Sequence, residues 1–542
     1  MFFSLESLAG WTSVHFDSQY LLARCFYLLL SLLSVVPSQI INFLTNTQSV
    51  PSYQPLHSLV ISPTPNGFNH SARGWNSFGL QANPLTSPNF IFTQHHVIAQ
   101  CDILATTLAG MGFTYCSLDS GWSEWDRGDK HGRIIADKRV FDIPKLADHL
   151  HAQGLQLGLY VVPGGFHRDM NKTILGTNIR IGDVCSGDNG LLRCNWHYGE
   201  DGVQQWHDSV VAQFAEWGVD FIKLDFVTPG SPMLLPKNSS GTVIAYHAAI
   251  SKASRPMRLD ISWKLARDPV HYSIWSANAD SFRTDQDINN AGAESALFTR
   301  WEVVQRAIDN YRQYIVMHTG RDEVLNIYPD MDNLYVGNGE DIDGIDDKMR
   351  YTIMNHWIGA GSNLMLGNDL TNLDAVGKSI LTHSEVLSIA DFTAKFPMRP
   401  RNPGTGLGDA KQLQSWIAGP DPAGNAVILL ANYGPNLGQA GFDSNLAGRQ
   451  TVFVTSRDLG IEGMWEVRDA WAKRDLGFFR SDLAVFSERF IGSFGSSGGG
   501  MGILNLNGNG RGMGSVLMAN LDEGESIMLM LRPLHKWKAL GK

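Results

Sequence analysis

The chain has 542 residues, of which 43% are hydrophobic, 18% charged and 10% aromatic, so it has material for a large core and two or more domains. This composition excludes a disordered chain and a coiled coil. Asp and Glu number 53 against 43 Lys and Arg, giving a formal net charge of −10 and no overall basic footprint for nucleic acid. Fifteen Trp, 14 Tyr and 55 Gly are typical of carbohydrate-handling proteins, although a large aromatic core gives the same counts.

Residues 1–50 are predicted to form a secretory leader. The apolar run Cys25–Val36 follows Arg24 and precedes Pro37. This run is short for a bilayer span but suits the hydrophobic region of a signal peptide. The segment before it is long and carries two acidic residues, so an uncleaved membrane anchor and a gene start placed too early are the alternatives. We expect a secreted or lumenal protein with no membrane contact beyond such an anchor.

Setting the leader aside leaves four cysteines, an even number that suits an oxidising compartment. Cys185 and Cys194 lie close together in one loop, and Cys101 and Cys116 fall on adjacent elements. Both pairs are therefore candidate disulfides. The alternative is a set of four buried free thiols.

From about residue 71 to residue 391, short apolar runs alternate with amphipathic helices, which is typical of repeated βα units and a parallel sheet. One such helix is predicted over Val203–Trp217, before Gly218. Eight βα units in some three hundred residues favour a TIM barrel, placed at residues 57–395. The predicted strands are Arg73–Phe78, Thr114–Asp119, Leu155–Val161, Val219–Phe226, Arg258–Trp263, Asp280–Thr284, Glu323–Tyr328 and Asn363–Leu366.

After about residue 400 the pattern changes to alternating strands separated by turn signals. This pattern predicts a C-terminal antiparallel β-sandwich over residues 400–535. The glycine-rich stretch Gly492–Gly514 is predicted to be a long hairpin loop or a disordered excursion. The clearest strands are Ala426–Tyr433, Thr451–Thr455, Met464–Asp469 and Ser526–Leu531.

Chemistry in a TIM barrel lies at the carboxyl ends of the strands, so polar residues that end apolar runs are the candidates. Strand alternation after Val219 places Lys223 and Asp225 on one face, with Asp225 at the end of the run. A buried charged pair is costly unless it has a use, and the ammonium favours the ionised carboxylate that a nucleophile requires. A structural ion pair is the alternative.

A second polar strand end carries Arg283, Asp285 and Asp287. One of these carboxyls is in a position to face Asp225 across the barrel mouth. Two carboxyl groups flanking a bond, one ionised and one protonated, are the minimum equipment for cleaving a glycosidic linkage. Taken alone, this loop is equally compatible with a solvated turn bridged by Arg. The other polar strand ends are Asp119, Tyr160, Ser262 with Trp263, and Asp330 with Met331.

These positions resemble glycoside hydrolase family 27, the family of α-galactosidases and α-N-acetylgalactosaminidases. The resemblance covers roughly residues 74–476. The motifs that carry it are Gly74-Trp75-Asn76-Ser77-Phe78, Gly154-Leu155-Gln156-Leu157-Gly158-Leu159-Tyr160, Lys223-Leu224-Asp225, Arg283 with Asp287 four positions later, Pro329-Asp330-Met331, Val336-Gly337-Asn338-Gly339 and Val467-Arg468-Asp469-Ala470-Trp471.

The resemblance implies a barrel followed by a sandwich, and exo-hydrolysis of terminal α-galactoside-type linkages with retention at the anomeric carbon. It implies that Asp225 is the nucleophile and Asp287, rather than Asp285, the acid/base. No cofactor and no metal are expected. The residues that the resemblance assigns to substrate binding are Phe78, Asp119, Ser120, Tyr160, Lys223, Ser262, Trp263, Arg283, Asp330 and Met331.

Three departures from the family pattern fall near the site. Ser120 replaces the second aspartate of Asp-Asp-Cys-Trp, so we expect a weaker hold on one sugar hydroxyl and a Lys223 that has lost a nearby anion. Ile261-Ser262-Trp263 replaces a frequent Cys-Glu-Trp. Val227 replaces a cysteine, which leaves Cys185 to pair elsewhere, for example with Cys194. Galactose preference is therefore a weaker prediction than the reaction class.

The first alternative is a carbohydrate-binding protein of the same fold without turnover, and the second is a related retaining enzyme such as a β-L-arabinopyranosidase. A serine hydrolase at Ser497 is disfavoured because its Gly-x-Ser-x-Gly lies in a glycine-rich run with no strand-to-helix elbow. An aspartic protease at Asp119-Ser120-Gly121 lacks a second such triplet. The cysteines show no zinc spacing, and the acidic segment 340–347 lacks EF-hand spacing. The expected ligand is an oligosaccharide or glycoside.

Overall fold

The computed structural model describes residues 54–230, 238–291, 296–439, 441–442, 445–481, 500–504 and 516–534. The predicted leader lies outside these residues, as do Ser497 and most of the glycine-rich stretch. No helix within the described ranges is both long and apolar enough to cross a membrane. The helices are Phe78–Ala82, Gln94–Ile103, Ile143–Ala152, Ile181–Val184, Val203–Glu216, Gly241–Ile250, Pro269–Asn278, Trp301–Val316, Glu340–Asp343, Asp347–Gly359, Ala375–Leu381, Ser384–Thr393 and Ser456–Leu459.

Eight parallel strands form the sheet that carries the predicted site. They pair in the order β7-β6-β5-β4-β3-β2-β1-β8, and the two ends meet where the Asn363 N–H donates to Pro329 O over 3.2 Å and Leu334 bridges Leu366. The strands thus follow chain order around a closed TIM barrel, as predicted. They are β1 Arg73–Asn76, β2 Tyr115–Leu118, β3 Gln156–Val161, β4 Val219–Leu224, β5 Arg258–Ile261, β6 Ser281–Arg283, β7 Tyr328–Asp330 and β8 Leu364–Leu366.

The seventh strand differs from its prediction over Glu323–Tyr328. Glu323–Leu325 pairs instead with Leu59–Ile61 in a separate two-stranded sheet, where the side chain of Val324 is exposed. The barrel strand is Tyr328–Asp330, and all three of its residues are buried. A strand inside a parallel barrel must be covered on both faces, and an apolar run alone does not show which of its segments is covered.

The helix predicted over Val203–Trp217 is present over Val203–Glu216. Its buried residues recur at helical spacing and pack the helix beside β4. Gly218 follows with φ +85°, a backbone conformation that glycine adopts without steric cost. The turn sends the chain directly into β4, whose carboxyl end carries Lys223.

The C-terminal strands form an antiparallel sandwich, as predicted. A six-stranded sheet in the order β9-β10-β11-β17-β13-β14 faces a three-stranded sheet in the order β12-β16-β15. Ile428 and Leu430 point into the core between the sheets, whereas Leu429 joins the barrel core, so the two faces of β11 alternate. The strands are β9 Arg399–Arg401, β10 Leu413–Ala418, β11 Ala426–Asn432, β12 Gln450–Thr455, β13 Met464–Asp469, β14 Arg474–Arg480, β15 Gly500–Leu504, β16 Val516–Leu521 and β17 Glu525–Pro533.

Both predicted disulfides are present. Cys101 on the helix Gln94–Ile103 is bonded to Cys116 on β2, with the Cα atoms 6.0 Å apart. Cys185 and Cys194 close the loop after β3, with the Cα atoms 5.6 Å apart. The first bond links a helix to the barrel wall. The second links two parts of the loop that follows β3.

Candidate active site

The carboxyl end of β4 carries Lys223, which points towards the end of β2. Its Nζ lies 2.8 Å from Asp119 Oδ2, and both side chains are largely buried. The expectation that Lys223 has lost its nearby anion is therefore wrong, because Asp119 supplies that anion. The substitution at Ser120 leaves this ion pair intact.

Asp119 is fixed by a ring of polar groups from the ends of β1 and β2. Its N–H donates to Ser77 Oγ over 2.8 Å, and its Oδ1 accepts the N–H of Ser120 over 2.8 Å. Ser77 Oγ donates to Gln81 Oε1, and Gln81 Nε2 donates to Ser120 O over 2.7 Å. Asp119 is buried, whereas Ser120 is exposed beside it. Ser120 thus lies at the rim, where its hydroxyl is open to solvent.

Two aromatic rings flank the Lys223 ammonium. Nζ lies 5.6 Å from the ring centre of Phe78 and 5.8 Å from that of Tyr160, within the range of cation–π attraction. Burial raises the pKa of the Tyr160 hydroxyl well above its usual value, and the charges of Asp225 and Asp119 and a hydrogen bond to Asp225 raise it further. Tyr160 is therefore a hydrogen-bond donor to Asp225 at any physiological pH.

Asp225 follows β4 directly and is half-buried. Its N–H donates to Val161 O over 2.9 Å, and its Oδ1 accepts the N–H of Phe226 over 2.8 Å. Burial raises the pKa of Asp225; Lys223 lowers it, but the charges of Asp287 and Asp119 raise it again. The net direction is upward, so Lys223 favours the ionised form of Asp225, as expected, without outweighing burial in the empty site.

A stacked aromatic pair stands beside Asp225. Phe226 and Trp263 follow β4 and β5 with φ +55° and +75°, and their rings stack 4.4 Å apart with an interplanar angle of 29°. Trp263 Nε1 is buried without a hydrogen-bond partner. Left-handed backbone at bulky residues costs roughly 1–3 kcal/mol each and is a feature of functional sites. Sequence reasoning missed Phe226, because no residue pattern signals its backbone conformation.

Arg283 at the end of β6 binds Asp287. Arg283 Nη2 lies 2.9 Å from Asp287 Oδ1, and 40% of the Asp287 side chain is exposed. Burial raises the pKa of Asp287, but the charge of Arg283, followed by that of Lys223 and the hydrogen bond to Arg283, outweighs it and leaves the pKa below its usual value. Arg283 therefore favours the ionised form of Asp287 when the site is empty.

Asp285 faces away from this site. It is buried, its Oδ2 lies 2.8 Å from Arg306 Nε, and its Oδ1 accepts Asn310 Nδ2 over 3.0 Å. Both partners belong to the helix Trp301–Val316, so Asp285 fastens the β6 loop to a barrel helix. Of the two carboxyls in this loop, Asp287 is the one that binds Arg283 at the barrel mouth.

The remaining predicted residues surround Arg283 from β5 and β7. Ser262 Oγ lies 3.5 Å from Arg283 Nη1, and Asp330 Oδ2 lies 4.0 Å from Arg283 Nε. Burial raises the pKa of Asp330, against a lowering by Arg283. Met331 is fully buried in the barrel core, and its N–H donates to Ser362 Oγ. Met331 therefore presents no exposed surface in this structure.

Asp332 is a member of this cluster that sequence reasoning missed. Its Oδ1 lies 3.2 Å from Arg283 Nη1. Burial raises the pKa of Asp332 to about 7, against a lowering by Arg283. The only sequence signal was a second acidic side chain two residues after Asp330, and its contact with Arg283 depends on a left-handed backbone at φ +80°.

The site thus offers two carboxyl groups at the ends of β4 and β6, close enough for each charge to influence the other. Lys223, Arg283, Asp330 and Asp332 border a small cavity of about 20 Å³. Within the described ranges, no group of three or more His, Cys, Asp or Glu side chains is arranged to hold a metal ion. Two carboxyls with buried cations beside them can support nucleophilic attack and proton transfer by side chains alone.

Comparisons with known proteins agree with this geometry. The family model described as alpha galactosidase A matches residues 72–169 and 162–391. Alpha-galactosidase 3 of Hypocrea jecorina is 48% identical over 438 residues, covering 78% of this chain and 70% of that protein.

Solved structures give the same fold. A β-L-arabinopyranosidase of family GH27 from Geobacillus stearothermophilus matches with a TM-score of 0.65 and 22% identity, covering 88% of this chain and 98% of that one. Alpha-galactosidase I from Mortierella vinacea matches with a TM-score of 0.56 and 18% identity, covering 86% and 97%. At such identities the likeness shows the fold and carries no conclusion about substrate.

Proposed function

Because the chain belongs to the alpha galactosidase A family, glycoside hydrolase family 27, we propose that it is a retaining exo-α-galactosidase. The observation that carries the proposal is the pair of carboxyls at the barrel mouth, Asp225 and Asp287, each beside a buried cation. Double displacement needs one carboxyl on each side of the anomeric carbon, about 5 to 5.5 Å apart. We expect that separation in the substrate complex.

In the first step an oxygen of the Asp225 carboxylate attacks the anomeric carbon, and the bond to the leaving oxygen breaks. Asp287 gives its proton to that oxygen, which leaves a β-galactosyl-enzyme and an Asp287 carboxylate. In the second step Asp287 takes a proton from water, the water oxygen attacks the anomeric carbon, and Asp225 departs. The product is α-galactose, and both carboxyls return to their starting forms.

In the empty site the pKa of Asp287 is lowered and that of Asp225 is raised, which is the reverse of the order that the first step needs. The charge of Asp287 acts on Asp225, so a change in the surroundings of one carboxyl alters the proton affinity of the other. A bound sugar covers the exposed part of Asp287 and offers hydroxyls to Arg283. Both effects raise the pKa of Asp287, and the proton then resides where the leaving oxygen needs it.

Substrate contacts are proposed for the residues around these carboxyls. Asp119 and Lys223 lie at the carboxyl ends of β2 and β4, and Phe78 and Tyr160 flank the ammonium. Trp263 stacks on Phe226, the residue after Asp225, and its buried Nε1 is a hydrogen-bond donor that has no partner among the described residues. The same proposal extends to Ser120, Ser262, Arg283 and Asp330, whereas Met331, which is fully buried in the barrel core, supports the site without touching the sugar.

One experiment tests both sugar and stereochemistry. The purified protein is assayed with nitrophenyl α-D-galactopyranoside, α-N-acetylgalactosaminide and β-L-arabinopyranoside, and the first-formed anomer is followed by proton NMR. We expect the highest kcat/KM with the galactoside, and we expect α-galactose to be the anomer formed first. Preference for the arabinopyranoside would assign the related retaining enzyme, whose sugar has the galacto arrangement without the C6 hydroxymethyl. Binding without hydrolysis of any of the three would leave only a carbohydrate-binding role.

We further propose that the protein is secreted or lumenal. The two disulfides support an oxidising compartment. Detection of the mature chain in culture medium after removal of residues 1–50 would test this, and retention of the whole chain in a membrane fraction would contradict it.

A further inference from the structure

Asp332 lies just beyond β7 in a conformation that an aspartate adopts only at a cost. Its φ is +80°, a left-handed backbone that strains residues other than glycine. Three hydrogen bonds hold the segment there: the Asp332 N–H donates to Asp330 Oδ1 over 2.9 Å, Trp357 Nε1 donates to Asp332 O over 2.7 Å, and Asp332 Oδ2 accepts a further N–H. The surrounding structure therefore imposes this conformation on Asp332.

The conformation directs the carboxylate towards two groups that both serve Asp287. Asp332 Oδ1 lies 3.2 Å from Arg283 Nη1, while Arg283 Nη2 lies 2.9 Å from Asp287 Oδ1. Asp332 Oδ2 accepts the N–H of Ile288 over 2.7 Å, and Ile288 is the residue after Asp287. Asp332 thus completes a closed set of contacts that runs through Arg283, Asp287 and Ile288.

We propose that Asp332 is a positioning residue for Asp287: it holds one end of the Arg283 guanidinium and the backbone next to Asp287, so that the Asp287 carboxyl stays at the leaving oxygen. This inference rests on the proposed glycosidase function. Asp332 acts through Arg283 and Ile288 and takes no part in the bond changes itself.

The effect of removing Asp332 follows from these contacts. Without it, Arg283 Nη1 loses its nearest carboxylate and the guanidinium is free to pair with Asp287 through both nitrogens. The loop loses its bond at Ile288 at the same time. General acid catalysis needs the acid within about 2.6–3.2 Å of the receiving oxygen, and a 1 Å displacement can cost about 10²-fold in rate. The loss falls on the proton-transfer part of the reaction.

Leaving groups separate this role from general support of the fold. A dinitrophenolate departs without a proton, whereas the glucose of melibiose needs one. For Asp332→Gly, which suits φ +80° and makes neither bond, we expect kcat/KM with melibiose to fall at least about 50-fold and with dinitrophenyl α-D-galactopyranoside less than about fivefold. Asp332→Asn keeps an acceptor for Ile288 and tolerates the left-handed backbone, so it should give an intermediate loss with melibiose.

Asp343 is the matched control. It too is a buried carboxylate beside an arginine, with Oδ2 at 3.3 Å from Arg350 Nε and accepting the N–H of Asn338 over 3.0 Å, but it lies away from Arg283. Asp343→Asn should leave the ratio of the two kcat/KM values unchanged, whatever its effect on the melting temperature.

The substrate ratio decides the outcome. A fall in kcat/KM that is confined to melibiose, larger in Asp332→Gly and smaller in Asp332→Asn, supports the positioning role. Equal losses on both substrates in folded variants, or no loss in Asp332→Asn and Asp332→Gly, would overturn it. If Asp332→Gly does not fold, the ratio measured for Asp332→Asn decides alone. Inactivity of the parent protein on both galactosides would overturn the proposed function, and the inference with it.

Discussion

Asp225→Asn is the substitution that most directly tests the double displacement. The carboxamide is nearly isosteric, so its oxygen can still accept the N–H of Phe226, which now lies 2.8 Å from Asp225 Oδ1. It cannot form the glycosyl-enzyme. Loss of a catalytic nucleophile costs roughly 10⁴-fold or more, and 10⁴-fold corresponds to about 5.4 kcal/mol of transition-state stabilisation. We expect kcat/KM with nitrophenyl α-D-galactopyranoside to fall by about that factor.

The same substitution should not destabilise the fold. Burial raises the pKa of Asp225 in the folded chain. A carboxyl with a raised folded pKa contributes most stability when it is protonated, and that contribution is lost as the pH rises above its unfolded pKa, near 3.9. At pH 7 the amide avoids this loss. The melting temperature of Asp225→Asn should equal or exceed that of the parent at pH 7, and the difference should vanish below about pH 4.

Azide identifies which carboxyl is the nucleophile. In Asp225→Gly the space left free admits azide to the anomeric carbon, and single displacement yields the β-galactosyl azide. In Asp287→Gly azide attacks the glycosyl-enzyme instead and yields the α-galactosyl azide. Formation of the α-azide by Asp225→Gly, or retention by Asp225→Asn of more than a few percent of parental turnover on a galactoside, would refute the assignment of Asp225.

Other substitutions test the rim, the aromatic wall and the interface between barrel and sandwich. Ser120→Asp adds a charged acceptor at an exposed site, so kcat/KM with nitrophenyl α-D-galactopyranoside should rise about fivefold; no gain in a stable variant would show that galactose recognition lies elsewhere. Trp263→Ala removes the ring stacked on Phe226 and should raise KM about tenfold, whereas Trp263→Phe should raise it less. Burial lowers the pKa of His356, whose Nε2 lies 2.9 Å from the Tyr433 hydroxyl, to about 3. The stability that neutral His356 contributes is complete above pH 6.5 and is lost as the pH falls towards 3, by up to about 5 kcal/mol. His356→Gln should therefore flatten the melting temperature between pH 6.5 and 3, and an unchanged acid slope would contradict this.

The arrangement of the barrel could be predicted from sequence because it depends on repeated local patterns. Apolar runs separated by amphipathic helices predict parallel strands in chain order, and the register of polar residues at their ends predicts which side chains share the mouth. The seventh strand was misplaced because Val324 and Tyr328 lie in one apolar run. Only tertiary packing determines that one is exposed and the other buried.

Parts of the site were beyond sequence reasoning for a different reason. Phe226 and Asp332, the two residues that were missed, have positive φ, which only glycine signals in a sequence, and that backbone decides where their side chains point. The partner of Lys223 was also misjudged. Family comparison drew attention to the missing carboxylate at Ser120, whereas the structure pairs Lys223 with Asp119, one residue earlier.

The charge balance at the barrel mouth explains why the pKa of each carboxyl depends more on whether a cation is bonded to it than on the number of acids nearby. Two buried cations, Lys223 and Arg283, face six carboxyls, which are Asp119, Asp225, Asp260, Asp287, Asp330 and Asp332. A buried group with more anions than cations retains protons. The pKa is accordingly raised for Asp225, Asp260, Asp330 and Asp332, mainly by burial, and lowered for Asp287, which is bonded to Arg283. A ligand that competes for Arg283 therefore raises the proton affinity of Asp287 without adding any acid, so in the proposed mechanism substrate binding itself prepares the proton donor.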